Sequence, residues 1–308
     1  MLSPDLPQCP PGLLERAAGY RPVRTIIAGA DSAIAMESAL AATEAGLIEP
    51  VFVGSGPMIV EKAGELGWDI GAFDRHEAAG ERGVAAEAAR LAGAGAGQAV
   101  MKGNLHTDTF MAALLTPEAG IRTSRRMTHA FHMSVAGFER ALIIADAALN
   151  VAPDIETKQA ILENSIDLAR AAGVPAPNVA LLSASETVSE RMPSSADAAA
   201  LSEWAQTHLP GARVFGPLAF DNIVSRQAAL MKGIDHPVAG NADIIVVPNI
   251  ECGNALYKMM VYFLGACAGG LVLGGRIPVM LTSRADPPAA RLASAALAVL
   301  VANADQTA

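Results

Sequence analysis

Short apolar runs, rich in β-branched residues, alternate along this chain with stretches of helical spacing, and most runs end in a small or polar residue. "TIIAGA" (25–30), "PVFVG" (50–54), "AVMKG" (99–103), residues 141–145, "NVALLSAS" (178–185), "ARVFGPLAFD" (212–221), "ADIIVVPN" (242–249) and "IPVMLTS" (277–283) read as strands. Between them "SAIAMESALAATEAG" (32–46), "MIVEKAGELG" (58–67), "GVAAEAARLA" (83–92), 155–172 and 197–208 read as helices, with Gly46 as a C-terminal stop. A strand followed by a helix and another strand predicts a parallel pair, because the helix carries the chain back across the sheet. The expected fold class is therefore α/β, a largely parallel sheet covered by helices. The last segment, "PPAARLASAALAVLVANA" (287–304), predicts a long apolar-faced helix starting at its prolines.

The chain has 308 residues, which predicts two domains of this kind. The rhythm restarts near 139, so residues 1–135 with 287–308 are expected to form one α/β domain and 136–286 the other. Hydrophobic residues make up 52% and aromatics only 4%, so Ala, Val, Ile and Leu must fill the core, which suits closely packed layers. The first residues, "MLSPDLPQCPPG", lack a basic start and an apolar core and predict a loosely docked arm, not a signal peptide. "MMVYFLGACAGGLVLGG" (259–275) is uncharged, but its glycines predict a helix end, a turn and a strand in place of a membrane span.

The net charge of −9 argues against a nucleic-acid surface. Three cysteines without metal-ligand spacing predict no structural zinc and fit a reducing, cytoplasmic setting. No GxxxxGK[ST] is present. "GSGPMI" (54–59) and "GAGAGQ" (93–98) each lack the third glycine of the dinucleotide fingerprint.

In parallel α/β sheets ligands bind beyond the carboxyl ends of strands. There the chain offers Lys102, Gly103, Asn104, His106, Thr107 and Asp108; then Asp146 and Asn150; then Asp221 and Asn222; then the dense set Asn249, Glu251, Cys252, Gly253, Asn254 and Lys258; and finally Thr282, Ser283, Arg284 and Asp286. Plainer readings stand beside these. Asp221 and Asn222 suit a turn, Asp286 a helix cap, Lys258 a solvated helix face, Cys252 a packing position, and His129 and His132 a structural role in a strand. Arg122, Arg125 and Arg126 form the densest basic cluster, either a solvated turn or a local anion site.

The ordered series "VMKGNLHTDTFMAALL", "ALIIADAALNVAPD", "GPLAFDNIVS", "VAGNADIIVVPNIECGNALYKMMVYF" and "VMLTSRADPP" resembles the phosphate acetyltransferase/phosphate butyryltransferase family, and its "TSRAD" looks closer to the butyryltransferase-like branch. The resemblance runs from about residue 20 to the end of the chain. It implies a two-domain α/β/α architecture similar to the isocitrate/isopropylmalate dehydrogenases, with the site in an interdomain cleft. It implies reversible transfer of a short acyl group, acetyl or butyryl, between coenzyme A and inorganic phosphate. No bound metal or redox cofactor is expected, and a homo-oligomer, typically a dimer, is.

By the same resemblance Ser283 and Arg284 serve at the reacting carbonyl and phosphate, and Arg126 is favoured as a second anion contact. Lys102, Asn104, His106, Asp221, Asn249, Asn254 and Lys258 are expected to bind substrate, with Gly253 letting the backbone approach it. Acetyltransferases of the family carry an aspartate seven residues after the serine, where this chain has Ala290; Asp286 and Glu251 are the candidate bases in its place. Two other readings remain open on the residues: a metal- and nicotinamide-dependent decarboxylating dehydrogenase on the related architecture, and a catalytically silent acyl-CoA-binding protein, which Ala290 favours.

Overall fold

The computed structural model describes residues 2–3, 6–281 and 286–304. They pack as two compact units. One holds Cys9–Met127 and the chain from Gly269 onward, and the other holds Thr128–Ala268 and the start of the chain.

The first unit runs α1 (Pro11–Ala17), β1 (Val23–Ala28), α2 (Ala33–Glu44), β2 (Ile48–Gly54), α3 (Gly56–Glu65), β3 (Arg75–Glu77), α4 (Gly80–Gly93), β4 (Ala99–Lys102) and α5 (Thr107–Leu114). β3 was not legible in the sequence: it is three residues long, largely exposed, and shows no apolar pattern. α2 starts where Ser32 accepts a hydrogen bond from the Ala35 amide, and ends before Gly46, whose φ of +69° suits glycine.

The second unit runs β5 (Thr128–Ser134), β6 (Leu142–Ala145), α6 (Ile155–Ala171), β7 (Asn178–Leu182), α7 (Pro193–His208), β8 (Arg213–Leu218), α8 (Phe220–Val224), α9 (Arg226–Met231), β9 (Ile244–Val246) and α10 (Ile250–Leu264). The expected turn at Asp221 and Asn222 is instead the first part of the short helix α8. The uncharged stretch 259–275 divides as expected: α10 stops at Gly265, which has φ +63°, and β10 (Cys267–Leu273) follows. No helix among the described residues is long and apolar enough to cross a membrane.

The chain then returns to the first unit through β11 (Val279–Met280) and α11 (Pro288–Ala302). The packing thus groups 269–281 with the first unit, whereas the sequence division drew its boundary after 286. The physical reason is strand pairing: β11 lies parallel to β4 and antiparallel to β10. Beyond the N-terminal arm, Leu13 and Ala17 of α1 are buried and α1 packs on α11.

Strand order in the first unit is β3-β2-β1-β4-β11-β10, parallel except for β10 against β11. Order in the second is β5-β6-β9-β7-β8, parallel except for β5 against β6. The small side chains do what the composition implied. A Cβ on Gly269 of β10 would stand 2.7 Å from Leu297 of α11, so helix and strand approach as closely as a glycine allows. Ser294 of α11 completes the contact by accepting from the Gly270 amide at 3.0 Å.

The first unit also has a topological switch point. β1, β2 and β3 are laid down outward, and α4 then carries the chain back to β4 on the other side of β1. With right-handed crossovers, α2 and α3 lie on one face and α4 on the other. α2 accordingly packs on α3 and α11, and α4 on α5. The helices leaving β1 and β4 therefore diverge, and a crevice opens at the carboxyl ends of those two strands.

Candidate active site

A cavity of about 210 Å³ occupies that crevice. Ser32, Ala33, Ile34, Ala35 and Ser38 line it from the start of α2, Met101, Lys102, Gly103 and Asn104 from the end of β4, and Arg291 from α11. Lys102 is buried at 7% exposure, and its ammonium donates to the Leu105 carbonyl at 3.0 Å and the Gly103 carbonyl at 3.4 Å. Gly103 lets the two strand ends meet, because a Cβ there would lie 2.3 Å from the Gly29 carbonyl oxygen. Asn104 is exposed at the rim.

Lys102 and Asn104 both line this cavity, while His106 is not among the lining residues. Its ring Nδ1 sits 2.9 Å from Glu81, and its backbone amide donates to the same carboxylate, so it closes the start of α5 instead. Arg291 escaped sequence reasoning. Its signal was present: one arginine inside the apolar run "PPAARLASAALAVLV" falls on the buried stripe of α11. The cap position of α11 is Pro287, one residue after Asp286, and the Asp286 backbone carbonyl accepts from the Arg291 guanidinium. Ser283 and Arg284 lie outside the described residues.

In the second unit the carboxyl end of β6 is organised by Asp146, which is 1% exposed. Its carboxylate accepts from the amides of His129 at 2.9 Å, Ala148 at 3.0 Å and Leu149 at 2.9 Å, and from the Asn150 side chain at 2.7 Å. The corner "NIECGNALYK" begins α10 beside it. Asn249 caps that helix, accepting from the Cys252 amide at 3.0 Å. Gly253 faces protein, not open space: a Cβ there would lie 2.7 Å from the Asp146 carbonyl oxygen and 2.9 Å from Ala147 Cα. The glycine expected to admit a ligand therefore admits the neighbouring turn.

Asn254 is half-buried, while Glu251 and Lys258 are exposed. Asp221 is exposed and pairs with Lys232 at 3.3 Å, and Arg126 is exposed. His129 and His132 are buried in β5, and burial pushes both imidazoles down to about 4, with Asp146 partly opposing this at His129. Their structural reading fits the packing: His129 meets Phe131 edge-on at 4.3 Å, and Phe131 stacks on Tyr257 at 4.0 Å. Cys252 is half-buried and burial raises its thiol pKa, as expected of a packing residue.

The family model for phosphate acetyl/butaryl transferases matches residues 83–299. The chain belongs to this family. Within the family, it is 43% identical over 291 residues to a phosphate acetyltransferase from Rhizobium meliloti, covering 94% of this chain and 92% of the relative. It is 37% identical over 280 residues to a phosphate butyryltransferase from Clostridium acetobutylicum, covering 91% and 93%. A crystal structure of a branched-chain phosphotransacylase from Enterococcus faecalis V583 shares 30% identity and superposes with a TM-score of 0.79, covering 91% of this chain and 99% of the other. Phosphate acetyl/butyryltransferases are acyltransferases, and family membership favours that reading over the dehydrogenase and the silent binding protein.

Proposed function

We propose that this chain transfers a short acyl group reversibly between coenzyme A and inorganic phosphate. Family membership across most of the chain carries the reading. In the direction of acyl-CoA synthesis, the CoA thiol gives its proton to a base and its sulfur attacks the carbonyl carbon of the acyl phosphate. The carbon–sulfur bond forms, the bond from carbon to the phosphate oxygen breaks, and phosphate leaves with the electron pair. The attack is direct, within a ternary complex, and the chemistry calls for no bound metal or redox cofactor.

Ser283 and Arg284 are the groups we assign to the developing oxyanion and the phosphate, since a guanidinium keeps its charge and grips phosphate with two parallel donors. Glu251 or Asp286 is the base, and both are described residues carrying carboxylates. Arg126, Lys102, Asn104, Asp221, Asn254 and Lys258 remain proposed substrate contacts. For Asn249, Gly253 and His106 the observed cap, backbone packing and Glu81 contact supply a structural role that is sufficient by itself.

The working form we propose is a cytoplasmic homodimer. Support comes from α10, where Met259, Tyr262, Phe263 and Leu264 are between 45% and 56% exposed, a large apolar area for one helix end.

Thiol release from acetyl-, propionyl- and butyryl-CoA, with and without phosphate, tests the activity. Phosphate-dependent release is expected, and the ranking of rates sets the acyl group. Release that ignores phosphate, or no release while CoA binds, overturns the reading. Ser283→Ala and Arg284→Ala should each lower kcat by about a hundredfold or more. Sedimentation should return twice the mass of one chain.

A further inference from the structure

Arg291 is 9% exposed, and its Nε has no hydrogen-bond partner. Its guanidinium donates to a neutral backbone carbonyl, that of Asp286, and among the described residues no carboxylate pairs with it. A guanidinium held out of water without a counter-charge is costly unless something anionic comes to it. Lys102 places a second buried cation on the same cavity. The first turn of α2, a helix of 12 residues, lines it as well, with the partial positive charge and free amides of a helix start. Among the described residues no acidic side chain lines the cavity, in a protein of net charge −9.

We propose that Arg291, Lys102 and the start of α2 form a subsite for a phosphoryl oxyanion. The inference rests on the acyl-transfer reading for its choice of ligand. Either the inorganic phosphate substrate or a phosphate group of coenzyme A supplies the same chemistry. Arg291 is a binding residue here, and its guanidinium takes two phosphoryl oxygens where it now meets one carbonyl.

Binding is measured on the full chain by thermal shift, so turnover is not required. The probes are inorganic phosphate and adenosine 3′,5′-bisphosphate, with chloride at equal ionic strength as the control. Arg291→Met removes the guanidinium. Ile34→Glu puts a carboxylate on an exposed lining position in the first turn of α2, where an acidic residue does not disturb the helix, and so tests the site even if Arg291→Met fails to fold. Each variant should weaken binding of one probe by about ten- to a hundredfold.

Loss of phosphate binding, with a matching rise in the KM for phosphate and an unchanged KM for acyl-CoA, identifies inorganic phosphate. Loss of bisphosphate binding, with a rise in the KM for acyl-CoA, identifies the CoA phosphate. Wild-type protein that binds neither probe, or an Ile34→Glu protein that binds both as the wild type does, overturns the subsite. A wild type that binds phosphate but shows no phosphate-dependent thiol release leaves the subsite standing and removes the acyl-transfer reading.

Discussion

Gly103 meets Gly29 so closely that a methyl group on it would lie 2.3 Å from the Gly29 carbonyl oxygen and 2.8 Å from that of Ala28. Both contacts are with backbone, which cannot rotate away. Gly103→Ala must separate β1 from β4 or displace Lys102, and we expect a loss of about 2 kcal/mol or more. Gly83, inside α4, has a helical backbone, and a methyl group added there would find nothing within 4 Å, so Gly83→Ala should stabilise by about 0.5–1 kcal/mol. Denaturant midpoints of the two variants moving in opposite directions would bear this out; equal shifts would contradict it.

Asp146 ties four donors from β5 and the loop after β6 to one carboxylate. Asp146→Ala strands those donors in a buried place, at a cost of about 3 kcal/mol or more. Gly253→Ala pushes α10 off the same turn and should be destabilising on the order of 1–3 kcal/mol. If Gly253→Ala instead kept full stability and raised only the KM for substrate, the ligand-approach role would be restored.

His129 and His132 are held neutral, with imidazole pKa values near 4 against about 6.5 in an unfolded chain. Above about pH 6.5 neither state binds the extra proton, and the two histidines do not change stability. As pH falls from there towards 4 the unfolded chain binds protons that the native state refuses, so stability drops, by up to about 3 kcal/mol for each histidine. Below about pH 4 this loss stops growing. Urea midpoints at pH 7, 5.5 and 4.5 for wild type and His132→Leu would measure it; identical pH slopes for the two proteins would refute the assignment.

Burial raises the thiol of Cys9 to about 11 and that of Cys252 in the same direction. The thiolate is the reactive form, so both should alkylate far more slowly than free cysteine at pH 7.5. Cys252→Ala should keep its transferase rate within about twofold, as a change outside the chemistry does. Rapid labelling of Cys252 with loss of activity would instead mark it as a nucleophile.

What the sequence determined by itself is local. Apolar β-branched runs, helical periodicity, and stop residues such as Gly46 and Gly265 act over a few residues. The α/β class, most of the elements, the helix start at Pro288 and the strand-to-helix corner at Asn249 were therefore all legible. The ordered motifs carried the family, because a long series of matches in one order is specific where no single motif is.

Tertiary structure alone decided what depends on residues far apart in the chain. Gly253 is required by Asp146, His106 is held by Glu81, and Arg291 reaches the cavity of Lys102 from the last helix. β11 belongs with β4, which places 269–281 in the first unit. No periodicity encodes these partners. They follow from which strand ends lie side by side, and a chain's sequence states that only after its crossovers have been folded into place.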